Sequence, residues 1–242
     1  MDYLLICLIG LLAFYLKGIT GTGTATVIVA FSSLIIDPKM AVVLAALVNV
    51  FGGFAMLRVD PVPFNRRFLL PVIIWMMMGA VIGATSLKII DPKIFEIILG
   101  IAFLVVSARF VFAKPHAMPS PFKAPDKARW IDQACGLAAG FCGGFIGVNA
   151  PLLVSHFGRI LDKQYLRHFL VIIFIPAAIV HTSIFYANGL LTPQIMLYGV
   201  AILPFMALGI FLGNKSFGKI SDVAFKRILA VFLVIVSLRL IF

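Results

Sequence analysis

Charge is scarce in this chain. Only 12% of its 242 residues are charged, against about a quarter in an ordinary soluble domain. Acidic side chains are scarcer still, with 9 Asp and Glu against 20 Lys and Arg, for a formal net charge of +11. The 3 cysteines, Cys7, Cys135 and Cys142, lie in apolar sequence without metal-ligand spacing. No disulfide framework and no metal site are expected from them. No nucleotide-binding glycine motif stands out, so gradients or a separate partner must supply any driving force. No nucleophile with a paired base is evident either, and neither an enzyme activity nor a cofactor is expected. A basic stretch before the first apolar run is missing, which argues against a cleavable signal peptide.

What fills the chain is apolar. Hydrophobic residues make up 62% and the mean hydropathy is +1.14, the composition of an integral membrane protein. The Lys and Arg cluster in short loops between apolar spans, where they set orientation against the bilayer rather than bind nucleic acid.

The chain also repeats itself. Residues 79–112 align with 209–242 at an offset of 130, through Gly79/Gly209, Gly83/Gly213, Ser86/Ser216, Ser107/Ser237 and Arg109/Arg239 among others. The amino-terminal parts align at an offset of 126, through Gly10/Gly136, Leu11/Leu137, Ala13/Ala139, Gly18/Gly144 and Gly21/Gly147. One duplicated unit is expected, with repeats at 1–113 and 131–242 and a Pro- and Lys-rich cytoplasmic linker at 114–130.

Each half holds one broken apolar segment and three plain ones, the latter at 40–57, 68–87, 94–112, 169–187, 195–212 and 226–241. The arms of the broken segments (3–16 and 22–36; 133–143 and 148–158) are shorter than the roughly 20 residues a span needs. They read as re-entrant hairpins. With hairpins, loops 58–67, 113–130, 159–168 and 213–227 share one side and carry 14 Lys and Arg, against 4 on the other. Eight full crossings would split them 8 to 10. The positive-inside rule selects the hairpins. The expected fold is all-α and polytopic: two inverted repeats, each a hairpin plus three transmembrane helices, with both termini outside.

The breaks themselves are KGITGTGTATV (17–27) and GGFIGVNAPLL (143–153). Paired breaks at matching places in two halves point to the substrate site of a secondary transporter. Beyond each tip a short helix is expected, near Thr22 and near Val148, whose unpaired N–H groups and positive dipole end suit an anion. Candidate substrate contacts are Lys17, Gly18, Thr20, Gly21, Thr22, Gly23, Thr24 and Asn49, with Gly144, Gly147, Val148 and Asn149 from the second tip. Lys17 is the charge inside the first arm, and an ionisable residue at membrane depth is a functional candidate. His156 and His181 are candidates for accepting a coupling proton. Arg109 and Arg239 occupy equivalent helix ends and read as anchors.

The blocks GITGTGTATVIVAFSSLIIDPKMAVVLAALVNVFGGF and GLAAGFCGGFIGVNAPLLVSHFG resemble the two glycine-turn blocks of the sulfite exporter TauE/SafE family of bacterial membrane transporters. This chain has Thr22 and Thr24 where that family is richer in glycine, and Asn149-Ala150-Pro151 in place of Gly-Gly-Pro. It has Leu47-Val48-Asn49 where Ala-Thr-Ser is usual. The resemblance implies outward movement of a small sulfur-containing anion such as sulfite, sulfoacetate or thiosulfate across the bacterial inner membrane. A proton or sodium ion would couple it. An anion channel or an accessory membrane subunit are the alternatives.

Overall fold

A computed structural model describes residues 2–57, 65–112, 125–216 and 222–241, and every element among them is helical. The first half contributes α1 (Asp2–Thr20), α2 (Thr24–Ser32), α3 (Pro38–Met56), α4 (Arg66–Ile89) and α5 (Pro92–Phe112). The second contributes α6 (Trp130–Ile146), α7 (Ala150–Phe157), α8 (Lys163–Ala187), α9 (Pro193–Lys215) and α10 (Asp222–Ile241). Loop residues 58–64 and 217–221, and most of the expected linker (113–124), lie outside the described residues. Among the described residues five helices, α1, α3, α4, α8 and α9, are long and apolar enough to cross a membrane.

Several helix starts are written locally. Asp37 accepts from the amides of Lys39 and Met40 at 2.8 and 3.3 Å, with Pro38 opening α3. Asp162 accepts from Tyr165 N–H at 2.8 Å to open α8, and Asn65 from Arg67 N–H at 2.9 Å to open α4. Each cap satisfies an amide that the first turn leaves without an intrahelical partner. The broken segments differ from expectation in length. Their first arms run on to Thr20 and Ile146, and their short helices begin at Thr24 and Ala150 rather than near 22 and 148.

Those first arms extend because they are packed, backbone to backbone, on another helix. Along α1 and α9, Gly10 faces Ile202, Gly209 lies on the Leu11 carbonyl and Tyr15 amide, and Gly18 lies on Gly213. Along α6 and α4, Gly136 faces Val72, Gly79 lies on the Leu137 carbonyl and Phe141 amide, and Gly144 lies on Ala84. A Cβ on Gly18 would stand 2.8 Å from Gly213 Cα, and one on Gly144 would stand 2.6 Å from Ala84 N. Small residues give helices this close approach, which drives association where lipid offers no hydrophobic gain. Each α1–α9 contact maps onto an α6–α4 contact by the offsets at which the sequence aligns with itself, the mate of Ala84 N being Asn214 N, 2.9 Å from a Cβ on Gly18.

Helices α5 and α10 run antiparallel. Ser107 donates its hydroxyl to Ala230 O at 2.9 Å, and a Cβ on Gly100 would lie 3.1 Å from Ser237 O. Adding or subtracting 130 converts the first pair into the second. Helices α3 and α8 also touch, with Gly53 against Ile175.

Contacts between helix ends sort into two groups. Ala128 N–H donates to Arg67 O at 3.3 Å, Arg109 to Ser155 Oγ, and Arg167 to Asn214 Oδ1. In the other group, Lys39 Nζ donates to Ile90 O at 2.6 Å and Arg239 Nη1 to Leu34 O at 3.1 Å. Arg109 and Arg239 thus each hold the region of the other half's short helix.

Candidate anion site

The first tip is built by glycine and one threonine. Gly21 and Gly23 adopt φ of 76° and 89°, the left-handed region where a side chain is strained. Thr20 Oγ1 lies 2.9 Å from Leu16 O and 2.8 Å from Thr22 O and accepts from Thr22 N–H at 3.3 Å. The second tip turns at Gly147, φ 72°, whose N–H returns to Gly143 O at 3.1 Å.

Between the tips lies a cavity of about 40 Å³. The first tip lines it with Lys17, Thr22, Gly23, Thr24, Ala25 and Thr26, the second with Gly143, Gly147, Asn149 and Ala150. Helix α3 adds Val42, Ala45, Ala46 and Asn49, and α8 adds Phe174, Ala178 and His181. Both caps of the short helices, Gly23 and Asn149, are in this wall, so the open amide ends of α2 and α7 face one space.

Polarity in the cavity is one-signed. Lys17 is 1% exposed; its Nζ donates to Asn49 Oδ1 at 2.8 Å and sits 5.7 Å from the centre of the Phe14 ring. Among the described residues no carboxylate pairs with it, and no acidic residue lines the cavity. The hydroxyls of Thr22 and Thr24 are buried without a hydrogen-bond partner. His181 reaches Gly140 O at 3.3 Å through Nε2. Two unpartnered hydroxyls, a buried lysine and two helix amino ends thus surround one cavity.

The expected site residues divide. Lys17, Thr22, Gly23, Thr24, Asn49, Gly147, Asn149 and His181 come together in the wall. Gly18 and Gly144 serve the helix contacts described above, and Thr20 holds the first turn. Gly21 lies against Arg167, Val148 N–H closes the second turn onto Cys142 O at 3.4 Å, and His156 is bound away from the cavity to Asp132. The apolar wall went unmarked in sequence. Counting helical steps from Asn49 (42, 45, 46, 49) and from His181 (174, 178, 181) would have found it, since residues three and four apart share a face. Arg167, read as a loop cation, is 5% exposed and was missed.

Broken helices meeting on a small cationic cavity, inside a bundle of membrane-length helices, define a polytopic membrane transporter. The chain belongs to the sulfite exporter TauE/SafE family, whose model matches residues 6–240. Comparison with curated proteins and with solved structures returned no match.

Proposed function

We propose that the protein is a secondary transporter that exports a small sulfur-containing anion of the sulfite, sulfoacetate or thiosulfate type. The anion is held between the two hairpin tips and the halves rearrange around it for alternating access. One observation carries this proposal: Lys17, buried to 1% exposure, faces the cavity with an amide oxygen as its hydrogen-bond acceptor. A buried cation without a counter-charge costs several kcal/mol. A bound anion offsets that cost, and the ends of α2 and α7 add their dipoles.

Size supports a compact ligand. About 40 Å³ corresponds to roughly three or four water-sized spheres, the scale of a four-heavy-atom oxyanion; sulfoacetate requires the site to widen.

The contacts support two inverted repeats, 1–113 and 131–242. Mates α5 and α10 pack antiparallel through pairs that interchange under the 130-residue offset, as a two-fold axis lying in the membrane requires. They support the hairpins too. Of the links Arg67–Ala128, Arg109–Ser155 and Arg167–Asn214, the discriminating one is Arg109–Ser155. It joins the neighbourhood of 113–130 to that of 159–168, segments that eight crossings would put on opposite faces. By the positive-inside rule that end is cytoplasmic and both termini lie outside, in the bacterial inner membrane. A proton or sodium ion provides the coupling, with His181 in the cavity wall as the better-placed proton acceptor.

The test is exchange of labelled sulfite, thiosulfate and sulfoacetate in proteoliposomes, for wild type and Lys17→Gln. Saturable exchange that Lys17→Gln lowers about 100-fold or more is expected, since the deleted charge is desolvated. Non-saturating flux would make the protein a channel. Flux of none of the three anions would point to an accessory subunit.

A further inference from the structure

The two hairpins end differently. Tip two closes on itself: Gly147 N–H and Val148 N–H return to Gly143 O and Cys142 O within the same helix. Its arms are also tied below the tip. Asp132 on α6, 2% exposed, bonds His156 Nε2 on α7 at 2.6 Å and accepts from Arg129 N–H at 2.7 Å. Cys135 Sγ adds a contact to Leu152 O at 3.8 Å.

Hairpin one shares the backbone closure, Gly21 N–H returning to Lys17 O at 2.8 Å, but lacks the tie between its arms. The positions matching Asp132 and His156 at the 126-residue offset are Ile6 and Ala30, both apolar. At the end of α1 the Gly18 carbonyl is one of the last carbonyls of the helix, and its acceptor capacity is met from the other half. Arg167 Nη2 on α8 donates to Gly18 O at 2.6 Å, and the same nitrogen donates to Asn214 Oδ1 on α9. A guanidinium at a helix carboxyl end meets both the unpaired carbonyl and the negative end of the dipole. Gly21 permits this contact, because a Cβ there would stand 2.5 Å from Arg167 Cγ.

The matching place at the second hairpin is apolar. Arg167 is the fifth residue beyond the helix cap Asp162, and the fifth beyond the equivalent cap Asp37 is Val42. Val42 lies against Gly147 as Arg167 lies against Gly21, and Ala84 stands where Asn214 does. Both tips therefore close on their own backbone, and the first is bonded in addition, at its Gly18 carbonyl, by a charged side chain across the repeat boundary.

We propose that hairpin one is the moving gate of the transporter, and that Arg167 is the positioning residue latching its tip to α8 and α9 while hairpin two stays fixed. This rests on the transporter proposal above. Separation of α1 from α8 and α9 breaks the Arg167–Gly18 bond, and with it the cap on α1, while Asn214 keeps Arg167 in place between α8 and α9. Lys17, one residue before Gly18, then leaves its place in the cavity. Hairpin two keeps the Asp132–His156 tie between its own arms and is held at α7 by Arg109, so its geometry survives the same movement.

Amide hydrogen exchange on the full chain in nanodiscs, without substrate, tests this. Peptides spanning 17–27 and 143–153 are compared in wild type, Arg167→Gln, Arg167→Lys, Asn214→Ala and Val42→Ala. Losing hydrogen bonds from a charged donor opens a segment about tenfold or more. Arg167→Gln is expected to raise exchange in the first peptide by that factor and leave the second within about twofold. Asn214→Ala, which keeps the Gly18 bond, gives about threefold, Arg167→Lys lies between, and Val42→Ala changes neither tip. Should Arg167→Gln not fold, Asn214→Ala and Arg167→Lys decide. Unchanged exchange at the first tip in both, or an equal rise at both tips, overturns the latch. Anion flux in matched vesicles separates the two proposals: absent wild-type flux with the exchange pattern intact ends the transporter proposal alone, and normal flux with flat exchange ends the latch alone.

Discussion

Lys17 Nζ donates to Asn49 Oδ1 at 2.8 Å, while Asn49 Nδ2 donates to Ala45 O, also at 2.8 Å. The second bond fixes the amide so that its oxygen faces the lysine. With a neutral partner, Lys17 carries, among the described residues, no carboxylate that a ligand would have to displace. Asn49→Asp would supply the missing counter-charge. The expected outcome is equal or higher thermal stability with anion affinity reduced about 100-fold, read as the KM of saturable exchange. Unchanged KM would remove Lys17 from the site.

The Thr24 hydroxyl is 2% exposed and unpartnered. Replacing a buried, unsatisfied group by an apolar one of the same shape is neutral or stabilising. Thr24→Val should therefore leave the apparent melting temperature unchanged or higher, while the hydrogen bond lost to the anion raises KM about fivefold. A fall in stability with normal KM would assign Thr24 to folding.

Two glycines separate packing from conformation. A Cβ on Gly140 would run into the Met76 carbonyl, whereas one on Gly189 meets nothing within 4 Å, although φ there is 73°. Gly140→Ala is expected to cost about 3 kcal/mol through overpacking between α6 and α4. Gly189→Ala costs about 1 kcal/mol from backbone strain alone. Thermal unfolding in detergent ranks the two, and a reversed order would contradict the α4–α6 contact.

Sidedness is open to impermeant thiol reagents in a background without native cysteines. Cysteines at Asn65 and Gln164 should label from one face, and those at Asp91 and Ala187 from the opposite face. Labelling of positions 65 and 164 from opposite faces would restore the arrangement of eight full crossings.

Proton coupling can be assigned between two histidines. His181 lines the cavity, while His156 Nε2 is 2.6 Å from Asp132 Oδ1 outside it. A proton on His181 adds positive charge beside the anion, so affinity rises as pH falls. His181→Gln should flatten the pH dependence of KM. His156→Gln should lower stability and leave the pH dependence in place. The reverse result would move coupling to hairpin two.

Much of this molecule is written in local sequence. Gly21, Gly23 and Gly147 mark the breaks because only a residue without Cβ turns cheaply at positive φ. Asp37, Asn65 and Asp162 mark helix starts because each side chain reaches an amide two or three residues on. All six plain segments are helical. Four of them, α3, α4, α8 and α9, are among the five described helices long and apolar enough to cross a membrane, the fifth being α1. Lys17, the charge near the end of α1, is in the cavity.

Packing decided the rest. Gly18 and Gly144 look like ligand-contact glycines, yet each meets the backbone of a neighbouring helix. Sequence cannot separate a glycine that admits a ligand from one that admits a helix, since both require only the missing Cβ. Arg167 reads as one more loop cation until the fold carries it 149 residues back in the chain to the Gly18 carbonyl. Periodicity and capping act within a turn or two of helix. Which cation closes which carbonyl across the two halves is set by how whole helices stack, and only the tertiary structure contains that.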